Sequence, residues 1–153
     1  MRYLLDTGIL LRLANKQDAQ HSLVRAAIRM LGNRQQDLFI TAQNIAEFCN
    51  VATRPIVNNG FGLPPAEAIN LLERDIEPIC AVLDEPAVLR DELKRLIVRY
   101  NVVGKQVHDA RLVAMMLTWR IDAILTLNER NFLRFVPEGI AVVSPGTLIS
   151  ANP

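Results

Sequence analysis

Met1-Arg2-Tyr3-Leu4-Leu5-Asp6-Thr7-Gly8-Ile9-Leu10 opens the chain and decides its fold. A short apolar run ends in a carboxylate, a hydroxyl and a glycine, and apolar periodicity then resumes. Such a stretch reads as a buried strand running into a turn and a helix, with Asp6 at the strand's carboxyl end. In open α/β sheets that end is where ligands sit. Gly8 lets the backbone turn tightly or another group approach closely. A plainer reading makes Asp6 only the cap of the following helix, a position Asp favours. The placement of the other carboxylates decides between the two.

Beyond this stretch, short strands and helices alternate. A helix over Ile9–Leu13 ends near Ala14-Asn15. Asp18 is expected to cap a second helix with Leu23, Ala26, Ala27, Met30 and Leu31 inward and Arg25 and Arg29 outward, closed by Gly32-Asn33. Leu38-Phe39-Ile40 predicts a strand and Thr41 the cap of a third helix, which carries Glu47 beside an apolar face and Asn44 one turn before it. Thr53-Arg54-Pro55 ends that helix, and the loop after it holds a Gly-Phe-Gly with no preceding strand or third glycine, so it is no dinucleotide fingerprint. A helix over Ala66–Arg74 places Ala68, Ile69, Leu71 and Leu72 inward. Ile79–Leu83 predicts a buried strand. Asp84 or Glu85, with Pro86, is expected to open a long helix through Tyr100 that carries Arg90, Lys94, Arg95 and Arg99. The most apolar helix follows His108-Asp109 and should be central. Asp109 lies in its first turn, where the helix dipole alone would favour a negative charge. Ile121–Thr126 and Ile140–Val143 predict two more strands, separated by a polar turn over Asn128–Asn131, and Ser144-Pro145 ends the second.

At 153 residues, half of them hydrophobic and 22% charged, the chain fits one domain with a substantial core. The net charge of +1 points to no particular class of partner. Cys49 and Cys80 lie in apolar patterns without metal-finger spacing, which predicts buried free thiols and a reducing compartment. No signal peptide is expected, because Asp6 interrupts an apolar run that is already too short. No stretch approaches the roughly 20 apolar residues of a spanning helix. The expectation is a cytoplasmic protein with no membrane partner.

The alternation of elements predicts a parallel sheet covered on both faces. Asp6 follows the first strand, Thr126 and Asn128 follow a late one, and Glu47 and Asp109 sit early in helices leaving the same sheet edge, so the architecture allows all of them to converge. Two carboxylates about 4 Å apart repel by roughly 4 kcal/mol at an effective dielectric of 20. Three such groups call for a cation, and oxygen-only ligands select Mg²⁺ or Mn²⁺ over zinc. Metal-activated water acting on a phosphodiester is the chemistry that best fits.

The chain also resembles the PIN-domain ribonucleases of the VapC toxin type. The resemblance rests on Leu4–Leu10, on Asn44-Ile45-Ala46-Glu47-Phe48 with Thr53-Arg54-Pro55, on Gly104–Leu112 and on Ile124-Leu125-Thr126-Leu127-Asn128, in this order and spacing over nearly the whole length. It implies a single PIN-like domain over residues 1–153, a three-layer α/β/α fold around a mainly parallel sheet, and a Mg²⁺- or Mn²⁺-dependent endoribonuclease acting on RNA. Asp6, Glu47 and Asp109 would hold the metal, with Asn128 and Asn131 as further candidates and Thr7, Asn44 and Thr126 as supporting residues. A homodimer and a small cognate antitoxin that occludes the site are also implied. One departure stands out: family members usually carry an Asp before the Phe in the loop after the fourth strand, and this chain has Asn131-Phe132. The fourth acidic position is therefore neutral, unless Glu129 reaches in, and a single metal becomes the simpler expectation.

Other readings fare worse. Leu5-Asp6-Thr7-Gly8 matches the aspartic-protease loop, but that motif occurs once and most of the chain has helical periodicity. His108-Asp109 matches HD-type phosphohydrolases, which need further histidines where only His21 remains. The competitor that survives is a PIN fold that binds RNA or an antitoxin with little cleavage, a consequence of the missing fourth acid.

Overall fold

The computed structural model describes residues 1–151. Strand β1 (Arg2–Leu5) lies at the centre of a five-stranded sheet ordered β3-β2-β1-β4-β5, formed with β2 (Asp37–Thr41), β3 (Ala81–Leu83), β4 (Ala123–Leu125) and β5 (Ala141–Val143). Every pairing is parallel, so the sheet is wholly rather than mainly so. Parallel strands need long crossovers, here helices α1 (Thr7–Ala14), α2 (His21–Asn33), α3 (Ala42–Thr53), α4 (Pro65–Asp75), α5 (Leu89–Arg99) and α6 (Gln106–Trp119), with α7 (Pro145–Ser150) closing the described chain.

The period-2 alternation of the strands divides the core. Tyr3, Leu5, Leu38, Ile40, Ala123 and Leu125 face one way, against α1, α2, α3, α4 and α7. Leu4 and Ile124 face the other, against α5 and α6. These are the three expected layers. The strand order runs outward from β1 through β2 and β3, then returns to β4 on the other side of β1. This reversal puts a crevice at the carboxyl ends of β1 and β4.

Several elements differ from the sequence expectation. Helix α2 starts at His21, three residues after Asp18, whose Oδ1 instead accepts from the Gln20 amide at 2.8 Å. Its inward face is Val24, Ala27 and Leu31, while Leu23 is exposed. The α4 face is likewise narrower than predicted, with Ala68 and Leu72 buried and Ile69 exposed. Ile79 belongs to a 3₁₀ turn, and β3 is a three-residue edge strand with Ala81 and Val82 open to solvent. An edge strand needs only one covered side, which an apolar run cannot reveal. Helix α5 begins at Leu89, because Pro86 and the residues after it form a turn first. Ser144-Pro145 opens α7 rather than merely ending a strand: Ser144 caps it by accepting from the Thr147 amide, and proline suits the first helical position. Cys49 and Cys80 are free, as expected, but only partly buried.

Candidate active site

The turn after β1 delivers Asp6 to the crevice. Asp6 occupies the N-cap position of α1, yet its carboxylate makes no capping bond. It accepts a 2.6 Å hydrogen bond from the Thr126 hydroxyl, at the end of β4. The same threonine oxygen accepts from the Asn128 amide at 2.9 Å, which fixes the hydroxyl's proton toward Asp6. Capping alone does not account for this bond across the crevice. Burial pushes the Asp6 carboxyl up, against the lowering effect of the Thr126 hydrogen bond, and the Glu47 charge pushes it further.

Glu47 is brought in by α3. That helix begins with a capping box in which Thr41 and Asn44 satisfy each other's backbone amides, the side-chain oxygen of Asn44 accepting from the Thr41 amide at 2.8 Å. Asn44 is fully buried, and its side-chain amide donates to the Leu5 carbonyl at 3.2 Å and to Thr7 Oγ1 at 3.1 Å. Thr7 in turn donates to Glu47 Oε2 at 2.6 Å. One chain of hydrogen bonds thus ties the end of β1 to α3 and orients the glutamate. The other oxygen of Glu47 accepts from Gln43 Nε2 at 2.8 Å.

Asp109 comes from the first turn of α6, on the far side of the crevice. Desolvation, then the charges of Asp6 and Glu47, raise its carboxyl to about 6, while His108 and Arg134 oppose the rise. The three carboxylates feel one another, although they arrive from β1, α3 and α6. Gln43 joins the last two elements, since its Nε2 also donates to the His108 carbonyl at 2.9 Å, and Arg111 donates to its Oε1 at 3.1 Å. Arg111 is itself paired with Glu85.

Asn128 and Asn131 are both exposed, at the start and end of the polar turn, and among the described residues only their backbone groups are hydrogen-bonded, the Asn128 amide to the Thr126 hydroxyl that holds Asp6. Among the described residues, no three His, Cys, Asp or Glu side chains stand close enough to form a ready cation cage. The donor set nevertheless fits a hard cation: it is all oxygen, its charges are like and mutually repelling, and two of its carboxyls are held up by burial first and by that crowding second. Mg²⁺ habitually binds through one or two carboxylates and several waters, so a closed cage is not required.

Gln43 and Arg111 were not singled out from the sequence, although Gln43 precedes Glu47 by one helical turn, a spacing that places the two on one face. Arg12 and Arg134, whose charges reach Asp6 and Asp109, were also missed, because they come from the last turn of α1 and a 3₁₀ segment far along the chain.

Residues 3–136 match the model of the PIN domain family. A comparison with curated proteins gave no match. Among solved structures, the chain is similar to DNA-bound VapBC of Salmonella typhimurium (18% identity, TM-score 0.68, covering 95% of this chain and 98% of that one). It is also similar to FitAcB of Neisseria gonorrhoeae (20% identity, TM-score 0.63, covering 94% and 98%). A third is VapC20 of Mycobacterium tuberculosis, described as a Sarcin-Ricin loop cleaving toxin (16% identity, TM-score 0.59, covering 80% and 86%).

Proposed function

The chain belongs to the PIN domain family, and from that premise we propose that it is a Mg²⁺- or Mn²⁺-dependent endoribonuclease, the toxin of a toxin–antitoxin pair. The observation that carries this reading is the convergence of Asp6, Glu47 and Asp109, from three separate elements, on the crevice where the strand order reverses. Asp6 and Asp109 are the metal-holding carboxylates in this proposal, and Glu47 holds the ion directly or through water. When bound, the cation supplies an activated water and neutralises the developing charge on the phosphate. Thr126 and Thr7 hold the Asp6 and Glu47 carboxylates in place, and Asn44 anchors Thr7. Asn128 and Asn131 add no charge, so one metal is the simpler stoichiometry.

The proposed organisation is a single PIN-like domain over residues 1–153, supported by the family match over residues 3–136 and by solved chains of similar fold that are covered almost end to end. A homodimer bound to a small antitoxin is the proposed assembly, supported by solved neighbours that are VapBC complexes. Among the described residues no helix is long and apolar enough to cross a membrane, and the proposed site of action is the cytoplasm. The second reading, a PIN fold that binds RNA or antitoxin and cleaves poorly, draws on the neutral side chain at Asn131.

The experiment is cleavage of single-stranded RNA by purified protein with Mg²⁺ or Mn²⁺, with EDTA, and by Asp6→Asn and Asp109→Asn, alongside growth on induction in bacteria. Metal-dependent cleavage and growth arrest, both lost in the folded variants, are expected. Cleavage unchanged in both variants would remove the assignment, and RNA binding without cleavage by the wild type would leave the binding module.

A further inference from the structure

Two arginines stand beside the carboxylate group, Arg12 near Asp6 and Arg134 one helical turn from Asp109. Arg12, in the last turn of α1, reaches back along the helix over Gly8. A Cβ on Gly8 would stand 3.9 Å from the Arg12 Nη1 and 3.9 Å from Asp6 Oδ2, so guanidinium and carboxylate border the same open volume. Among the described residues the guanidinium's salt bridge is to Asp18, whose Oδ2 lies 3.6 Å from Nε. Among the described residues that buried Nε has no hydrogen-bond partner, while Nη1 lies over Gly8.

On the other side, Arg134 donates from Nη1 to Gln106 Oε1 at 2.9 Å. Gln106 and Asp109 are three residues apart on α6, hence on one face of that helix. A neutral amide therefore holds the Arg134 guanidinium one turn from Asp109, and among the described residues Arg134 forms no ion pair. A set of three carboxylates repels a polyanion, so a strand that crosses it must be held on either side. Arginine suits this task, because its planar fork takes phosphate oxygens in pairs.

Resting on the nuclease reading above, we infer that Arg12 and Arg134 are positioning residues that grip the backbone phosphates on the two sides of the scissile one. The RNA path then runs from α1 across the three acids to the segment after β4. The test uses a single-stranded RNA of about ten nucleotides, followed by fluorescence anisotropy in EDTA at several salt concentrations and by cleavage with Mn²⁺. Arg12→Gln and Arg134→Gln should each weaken binding about three- to tenfold. Each should also reduce the slope of log affinity against log salt by about 0.7, the contribution of one phosphate contact to a single strand. In cleavage, KM should rise while kcat stays within about twofold, the signature of lost uniform binding. Arg→Lys at either site should restore part of the affinity.

A second arm leaves the protein untouched: RNAs with one neutral methylphosphonate, placed on one side or the other of the cleaved bond. Each neutral linkage should cancel the effect of one arginine variant and leave the other's intact, which a merely structural role would not produce. Unchanged affinity and salt slope in both variants, or indifference to both neutral linkages, overturns the inference while cleavage by the wild type preserves the nuclease. A wild type that binds with these dependences yet never cleaves removes the nuclease and leaves the two grips standing.

Discussion

Asp109 shows what the site costs the fold. Its carboxyl is raised from 3.8 to about 6 by burial and by Asp6 and Glu47. A group raised in this way favours the folded state most below its unfolded value and loses that advantage as pH rises through about 6. Asp109→Asn removes the penalty, so the metal-free variant should be more stable than the wild type at pH 7.5. We expect about 1–2 kcal/mol once solvent screening of a half-buried carboxyl is allowed for. The gain should shrink as pH falls below 6 and vanish near 4, and Mg²⁺ should narrow it at neutral pH by stabilising the wild type alone. Thermal melting against pH and metal checks each of these. The asparagines of the polar turn invite the opposite change. Asn131 and Asn128 are both exposed, and among the described residues their side chains have no hydrogen-bond partner, so either is free to turn. Asn131→Asp should tighten Mn²⁺ binding, because charge count sets affinity for hard cations. Asn128→Asp should do so only if that side chain turns toward Asp6. Calorimetric titration of both variants decides, and no change in either would confine the metal site to Asp6, Glu47 and Asp109.

At the scale of elements, the start of α3 does two jobs. Thr41 ends β2 and caps the helix, and the Asn44 that completes the cap also reaches the end of β1 and Thr7. Stability and the aim of Glu47 are thus carried by one set of hydrogen bonds. Thr41→Ala should cost about 1–2 kcal/mol by denaturant unfolding, the usual loss for a helix cap. It should also lower cleavage several-fold, since Asn44 loses the hydroxyl that donates to it and Thr7 loses its anchor. Thr41→Ser, which keeps the hydroxyl, should retain most of both. Activity untouched by a fully destabilising Thr41→Ala would separate the cap from the site.

At the scale of the molecule, α5 and the residue that ends it are tied to the segment before β5 by Glu138. Its carboxylate accepts from Arg95 at 3.1 and 2.6 Å and from the Tyr100 hydroxyl at 2.8 Å, with Arg99 nearby, and its side chain is only 9% exposed. The Arg95 hydrogen bonds hold the Glu138 carboxyl below its ordinary value of 4.5, despite the desolvation that opposes them. A depressed carboxyl contributes its stability above the unfolded value and loses it as pH falls through the folded one. Glu138→Gln should therefore be less stable than the wild type at pH 7, by about 1–3 kcal/mol for a charged hydrogen-bond acceptor. The two proteins should converge as pH drops below about 4. Equal stability at pH 7 would show that the network is solvated rather than structural.

The first ten residues already contained the strand, the turn and the acid around which the rest is arranged, because period and turn chemistry are local properties of a chain. The same holds for the Thr41 cap and for the apolar α6, whose burial follows from composition alone. Local pattern cannot distinguish an edge strand from a central one, so the exposure of β3 is not legible in it, nor is α7 behind Ser144-Pro145. It allows Asp6, Glu47 and Asp109 to converge at one sheet edge but cannot give their surroundings. Thr126 lies 120 residues from the Asp6 it holds, and Gln43 lies 65 from the His108 carbonyl it binds. Such partners are set by the strand order and by helix packing. A carboxyl's proton affinity depends on everything within a few ångströms, whatever its distance along the chain, and so the tertiary structure alone decided the charge crowding at the crevice.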